Sequence, residues 1–137
     1  MEKPFDFFQD HSETFIVMAY TWDKRRAVEH PDGFGKKTGG CGDTVSVYLS
    51  VDNGVIREVN YELDGCLNTN ACCNALAALA EGKRVDESWE ITPQDLIDLL
   101  ETLPADHHHC AELTVGTFYL ALADCRTTDE KTVQPAA

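Results

Sequence analysis

Apolar residues recur at i, i+3, i+4 and i+7 from Phe15 through Met18 and Ala19 to Trp22, which predicts an amphipathic helix over about Glu13 to Glu29. His30-Pro31-Asp32-Gly33 ends it, and the glycine- and lysine-rich stretch Phe34 to Gly42 reads as a mobile loop. From Val45 the period changes to two. Val45, Val47, Leu49 and Val51 alternate with Ser46, Tyr48 and Ser50, and after the turn signal Asp52-Asn53-Gly54 the residues Val59, Tyr61 and Leu63 alternate on a return strand. This is an antiparallel hairpin with one face for a core. Asp64-Gly65-Cys66 breaks the strand, and Asn68 or Asn70 is expected to cap a helix that carries Ala71, Ala75, Leu76, Ala78 and Leu79 and stops at Gly82. Thr92-Pro93-Gln94-Asp95 starts another helix, with Leu96, Leu99, Leu100 and Leu103 on its buried face and Pro104 at its end. A last helix is expected over about Asp106 to Cys125. Its Leu113, Val115, Phe118, Leu120 and Leu122 spread over more than one face and make it central.

The pattern predicts an α+β fold in two layers, a small antiparallel sheet covered by helices. The expected organisation is a single domain, with an N-terminal helix and loop over 1–38, the core over 39–125 and a flexible, polar tail over 126–137.

Charge narrows the partners. Eleven Lys and Arg stand against 24 Asp and Glu, a net charge of −13, and that field repels nucleic acid phosphates and anionic lipid headgroups. No apolar run approaches the roughly 20 residues of a membrane span, and Met1 to Phe8 lacks the pattern of a secretory signal. The expectation is a cytoplasmic protein, acting on neither nucleic acid nor membrane, in a compartment that keeps thiols reduced.

Six cysteines at 41, 66, 72, 73, 110 and 125 then need a reason other than disulfides, and none forms a CxxC pair. Three sit at predicted element ends. Cys41 lies in Gly39-Gly40-Cys41-Gly42-Asp43 before a strand, Cys66 between a strand and a helix, and Cys110 after His107-His108-His109 at the opening of the last helix. Helix N-termini stabilise thiolates. A tetrahedral soft-metal site needs four donors, and Asp43 and His109 compete for the place that three thiolates leave. Such a site holds iron less firmly than four thiolates and suits a group that is built and then given away. Ordinary buried thiols beside polar loops are the competing reading.

Cys41-Gly42-Asp43, Tyr61-Glu62-Leu63-Asp64-Gly65-Cys66, and Leu103-Pro104 followed by His109-Cys110 and Leu113 resemble, in order and spacing, the three ligand motifs of the U-type iron–sulfur assembly scaffolds of the isc and nif systems. Ala78-Leu79-Ala80-Glu81-Gly82-Lys83 and Ile91-Thr92-Pro93-Gln94-Asp95-Leu96 resemble the text between them, so the resemblance covers about 39–125. It implies ligation by Cys41, Cys66 and Cys110, with Asp43 and His109 as accessory or alternative ligands. It also implies a transient [2Fe–2S] cluster, Zn²⁺ as a candidate occupant of the apo form, and no enzymatic turnover. The implied partners are a cysteine desulfurase, an iron donor and apo iron–sulfur acceptor proteins. Cys110 is the expected persulfide acceptor, exposed beside His109, which can assist its deprotonation. Where the family carries Leu-Pro-Pro-Val-Lys, read by a dedicated Hsp70-type chaperone, this chain has Leu103-Pro104-Ala105-Asp106-His107, so that chaperone is disfavoured. The alternative is a zinc-bound sulfur acceptor or sulfurtransferase assisting a desulfurase. That branch differs by an insertion between the second and third motifs and by lacking a histidine before the last cysteine.

The remaining candidates read as structural. Cys125 lies about 22 Å along the helix from Cys110 and belongs to the core. Cys72 and Cys73 belong within their helix, His107 and His108 in solvent, Lys36 and Lys37 on a solvated loop, and Trp22 and Trp89 in the core or anchoring the surface.

Overall fold

The computed structural model describes residues 11–133, with side chains described as far as Cys125. The expectations for Met1 to Phe8 and for the end of the tail, Gln134 to Ala137, lie outside the described residues. The alternating segments become β2 (Thr44–Asp52) and β3 (Val55–Asp64), antiparallel, with Val45 opposite Leu63, Val47 opposite Tyr61 and Leu49 opposite Val59. Asn53 and Gly54 turn the chain with φ of 54° and 79°, the pair of positive values that matches the twist of a two-residue hairpin.

A third strand, β1 (Gly33–Thr38), completes a sheet of order β1-β2-β3. This corrects the reading of Phe34 to Gly42 as a loop carrying Lys36 and Lys37. The glycines mark close packing. A Cβ at Gly35 would lie 2.5 Å from the Thr117 carbonyl oxygen, and one at Gly33 would lie 2.3 Å from the Cys125 sulfur. Both neighbours belong to α4 (His108–Val133), which lies across the sheet.

The first helix is also shorter than its apolar stripe predicts. α1 is Glu13–Ala19, capped by the Ser12 hydroxyl, which accepts from the Phe15 amide. Its end is set by other elements. The Asn70 side-chain amide donates to the Met18, Ala19 and Thr21 carbonyls, and that of Asn74 to Met18 and Thr21. The chain then turns and touches β3 through an isolated bridge at Arg25, where the Tyr61 amide donates to the Lys24 carbonyl and the Arg25 guanidinium to the Leu63 carbonyl. Phe15 and Ala19 are buried, Met18 is half-buried, and Trp22 is 48 % exposed with Arg25 over its ring.

α2 (Leu67–Ala80) has Cys66, not Asn68 or Asn70, at its N-cap position, with no side-chain cap hydrogen bond. Asn70 is buried, and its Oδ1 accepts from the Tyr61 hydroxyl at 2.7 Å. α2 is buried on nearly every face from Thr69 to Ala77, with Cys72 and Cys73 inside. After a short turn at Ser88–Glu90, α3 (Pro93–Leu100) opens on a reciprocal Thr92–Asp95 capping box. α3 stops at Leu100, before Pro104, with Glu101 at φ 62°, and Leu103 remains buried. The turn Ala105–His107 leads into α4, which buries Leu113, Val115, Phe118, Leu122 and Cys125 and continues past Cys125 to Val133. Leu120 is exposed, and Trp89 stacks on Tyr119. The result is the α+β arrangement of a three-stranded antiparallel sheet packed against helices. No helix among the described residues is long and apolar enough to cross a membrane.

Candidate metal centre

Three element ends meet at one side of the fold. The β1–β2 loop supplies Cys41 and Asp43, the N-cap of α2 supplies Cys66, and the first turn of α4 supplies Cys110. The loop is tight, with the Gly39 amide donating to the Asp43 carbonyl, the Gly42 amide to the Gly39 carbonyl, and Gly42 at φ 93°. That geometry favours glycine and leaves the Cys41 side chain exposed.

Asp43 is fixed from the opposite element. Its Oδ2 accepts from the Thr69 hydroxyl at 2.7 Å and lies 3.9 Å from the Cys66 sulfur, which is itself 3.6 Å from that hydroxyl. The approach depends on Gly65, where a Cβ would sit 2.6 Å from the Asp43 carboxyl. The glycine before Cys66 is therefore a clearance for the carboxylate.

Cys110 departs from expectation. It is buried, not exposed, with His107 and His109 against its sulfur. Burial pushes its thiol up to about 11; Cys66, Asp43 and Cys41 push the same way, and the Thr69 hydroxyl opposes them. Desolvation outweighs the helix N-terminus expected to favour the thiolate. Its sulfur lies 3.7 Å from His109 Nε2 and 3.8 Å from His107 Nδ1. Among the described residues, the group of three donors lying within 4.8 Å of one another is Cys66, His107 and Cys110.

The structure thus brings Cys66 and Cys110 together, with Asp43 beside the first and His109 beside the second. Cys41 lies outside the 4.8 Å group, on its exposed loop. His107, read from sequence as solvated, is inside it. Its spacing of three residues before Cys110 puts both on one side of a helical turn, the signal that marks it. Thr69 escaped notice because a hydroxyl three residues into a helix is ordinarily a backbone partner. Two soft sulfurs, imidazole nitrogens and a carboxylate form a mixed donor set suited to a thiophilic transition metal.

A sheet of three antiparallel strands backed by helices, with thiols at three element ends beside a mixed donor set, makes this a small α+β domain with a candidate thiolate metal site. The chain belongs to the family of the NifU-like N-terminal domain, whose family model matches residues 29–132. Over 98 residues it is 28% identical to "Iron-sulfur cluster assembly scaffold protein IscU 1" of Archaeoglobus fulgidus, a match that covers 71% of this chain and 64% of the relative. It is 27% identical over 126 residues to the nitrogen fixation protein NifU of Azotobacter chroococcum, covering 90% of this chain and 41% of that one. The chain thus spans less than two thirds of these relatives' length. The fold is also similar to the crystal structure of a nitrogen-fixing NifU-like protein (N-terminal) from Brucella abortus, with a TM-score of 0.70 and 17% identity, covering 89% of this chain and 99% of that one.

Proposed function

We propose that this chain is a scaffold on which an iron–sulfur cluster is assembled as cargo and then passed on, with no enzymatic turnover of its own. The reading rests on one observation. Donors from separate elements, the sulfurs of Cys66 and Cys110 and a His107 nitrogen, lie within 4.8 Å beside the Asp43 carboxylate. The ligands are Cys41, Cys66 and Cys110, with Asp43 and His109 exchanging in the fourth place. A [2Fe–2S] core of charge about +2 takes four protein donors, so the assembly carries about −2 through Asp43 or about −1 through neutral His109. The fourth position opens without breaking a thiolate bond, which gives an acceptor's cysteine a place to attack.

Sulfur arrives from a cysteine desulfurase, iron from an iron donor, and apo iron–sulfur proteins in the cytoplasm receive the product. Cys110 takes sulfur first. Its thiolate attacks the outer sulfur of the desulfurase persulfide and releases the desulfurase cysteine as thiolate. Its burial means that docking must open the His107–His109 turn. Cys110→Ser should abolish early sulfur addition by mass spectrometry. Sulfur accepted at the normal rate on Cys66 of that variant would overturn the assignment.

The deciding experiment is anaerobic reconstitution with desulfurase, cysteine and ferrous iron, read by visible spectra and by iron and sulfide content, followed by transfer to apo-ferredoxin. Asp43→Ala should slow transfer and Asp43→Cys should slow it further, since a fourth thiolate closes the site. Equal rates in all three proteins would refute fourth-ligand exchange. The second reading, a zinc-bound sulfur acceptor assisting the desulfurase, is favoured by the exposure of Cys41 outside the donor group. Persulfide formation with no cluster despite added iron would select it.

A further inference from the structure

We infer that His107 is a metal ligand of this site, placed with Cys66 and Cys110 as a third donor within 4.8 Å. The inference rests on the metal-site reading above and adds a donor to it. A tetrahedral Zn²⁺ with bonds of about 2.3 Å to sulfur and 2.0–2.1 Å to nitrogen holds the two donor atoms about 3.6 Å apart. The Cys110 sulfur and His107 Nδ1 stand at 3.8 Å, so an ion can bridge them with little movement. His109 Nε2 is equally near that sulfur at 3.7 Å, but the group that also reaches Cys66 contains His107.

The backbone holds this arrangement. His107 ends the Ala105–His107 turn, its amide donating to the Pro104 carbonyl at 2.9 Å, and α4 begins at the next residue. The ring centroids of His107 and His109 are 5.8 Å apart, and both rings have a nitrogen within 3.8 Å of the Cys110 sulfur. An ion held by Cys66, Cys110 and His107 has three donors before Asp43, Cys41 or His109 binds. His107 is then the resting nitrogen ligand and His109 the one that exchanges.

Cadmium-113 substituted for zinc tests this without any cluster. A proton–cadmium correlation spectrum should show coupling to the His107 ring. Zinc affinity, measured by chelator competition, should fall in His107→Ala by more than the roughly 10–100-fold that a merely supporting partner accounts for, while His108→Ala binds as wild type does. An amide correlation spectrum checks that each variant is folded. Coupling to His109 alone, or a folded His107→Ala that binds zinc with wild-type affinity, overturns the inference. Cys66→Ser separates the two readings. If it loses zinc while His107→Ala does not, His107 alone falls; if it too binds like wild type, the metal site falls with it.

Discussion

The Thr69 hydroxyl donates a 2.7 Å hydrogen bond to the Asp43 carboxylate and so ties the β1–β2 loop to the first turn of α2. Thr69 is buried, Asp43 half-buried, and no other side chain described here holds the carboxylate so closely. Thr69→Val keeps the shape and removes the donor. We expect a loss of about 2 kcal/mol in urea unfolding, the scale of a hydrogen bond to a charged group, and zinc affinity lower by about 10–100-fold. Unchanged affinity would show that Asp43 needs no such support.

The thiols should differ sharply in reactivity. Cys41 and Cys66 are exposed, whereas Cys72, Cys73 and Cys110 are buried. Brief alkylation of the native, metal-free protein, followed by peptide mass spectrometry, should label Cys41 and Cys66 first. Cys110 should follow slowly, since both access and a thiol pushed up to about 11 hold it back. Labelling of Cys110 as fast as Cys41 would mean that the His107–His109 turn stands open in solution.

The contact of β1 with α4 depends on a missing side chain. Gly35→Ala would put a methyl 2.5 Å from a helix carbonyl oxygen and 2.7 Å from a helix amide nitrogen, neither of which can turn aside. Destabilisation of about 3 kcal/mol is expected in chemical denaturation. Gly40→Ala, with nothing within 4 Å, should be nearly neutral and serves as the control. Equal stabilities would contradict the close packing of the strand on the helix.

Alkaline pH should loosen the fold through the core thiols. Burial pushes Cys73 up to about 12 and Cys72 well above its ordinary value of 9.0. The folded chain keeps protons that the unfolded chain loses. The stabilisation is therefore complete well below pH 9 and is lost as pH rises from there toward 12. Between pH 8 and pH 10 the cost is on the order of 1 kcal/mol per thiol. Urea midpoints of the metal-free protein at the two pH values test this, and Cys73→Ala should show a shallower decline. A flat profile would contradict the burial of these thiols.

The hairpin, the start of α3 and the central α4 were legible in sequence because each is written locally, in a period of two, a turn dipeptide, a proline at a helix start or apolar residues on several faces. The early end of α1 was not. Phe15, Met18, Ala19 and Trp22 carry a true helical period, but two asparagines about fifty residues on take the carbonyls that a longer helix would use, and the following turn is held against β3 through Lys24 and Arg25. The misreading of β1 has a related cause. Glycine weakens a strand in isolation, and only the presence of α4 makes Gly33 and Gly35 necessary. At the site, the thiols and their neighbours stood out by position. The three-residue spacing of His107 and Cys110 carried a signal for the histidine, but the burial of Cys110 depended on tertiary packing around the sulfur, which no spacing states.

Because the three thiols arrive from three separate element ends, an unfolded chain offers no compact chelating set of them. On the proposed reading, metal held by these thiols binds the native state in preference and stabilises it by RT ln(1 + [M]/Kd). Under the proposed function, a chain that has not yet closed its sheet against α4 cannot take up cargo, and a loaded chain resists opening. On that reading, possession of the metal would serve as a proofreading signal, reporting that folding is finished before any cluster is handed on.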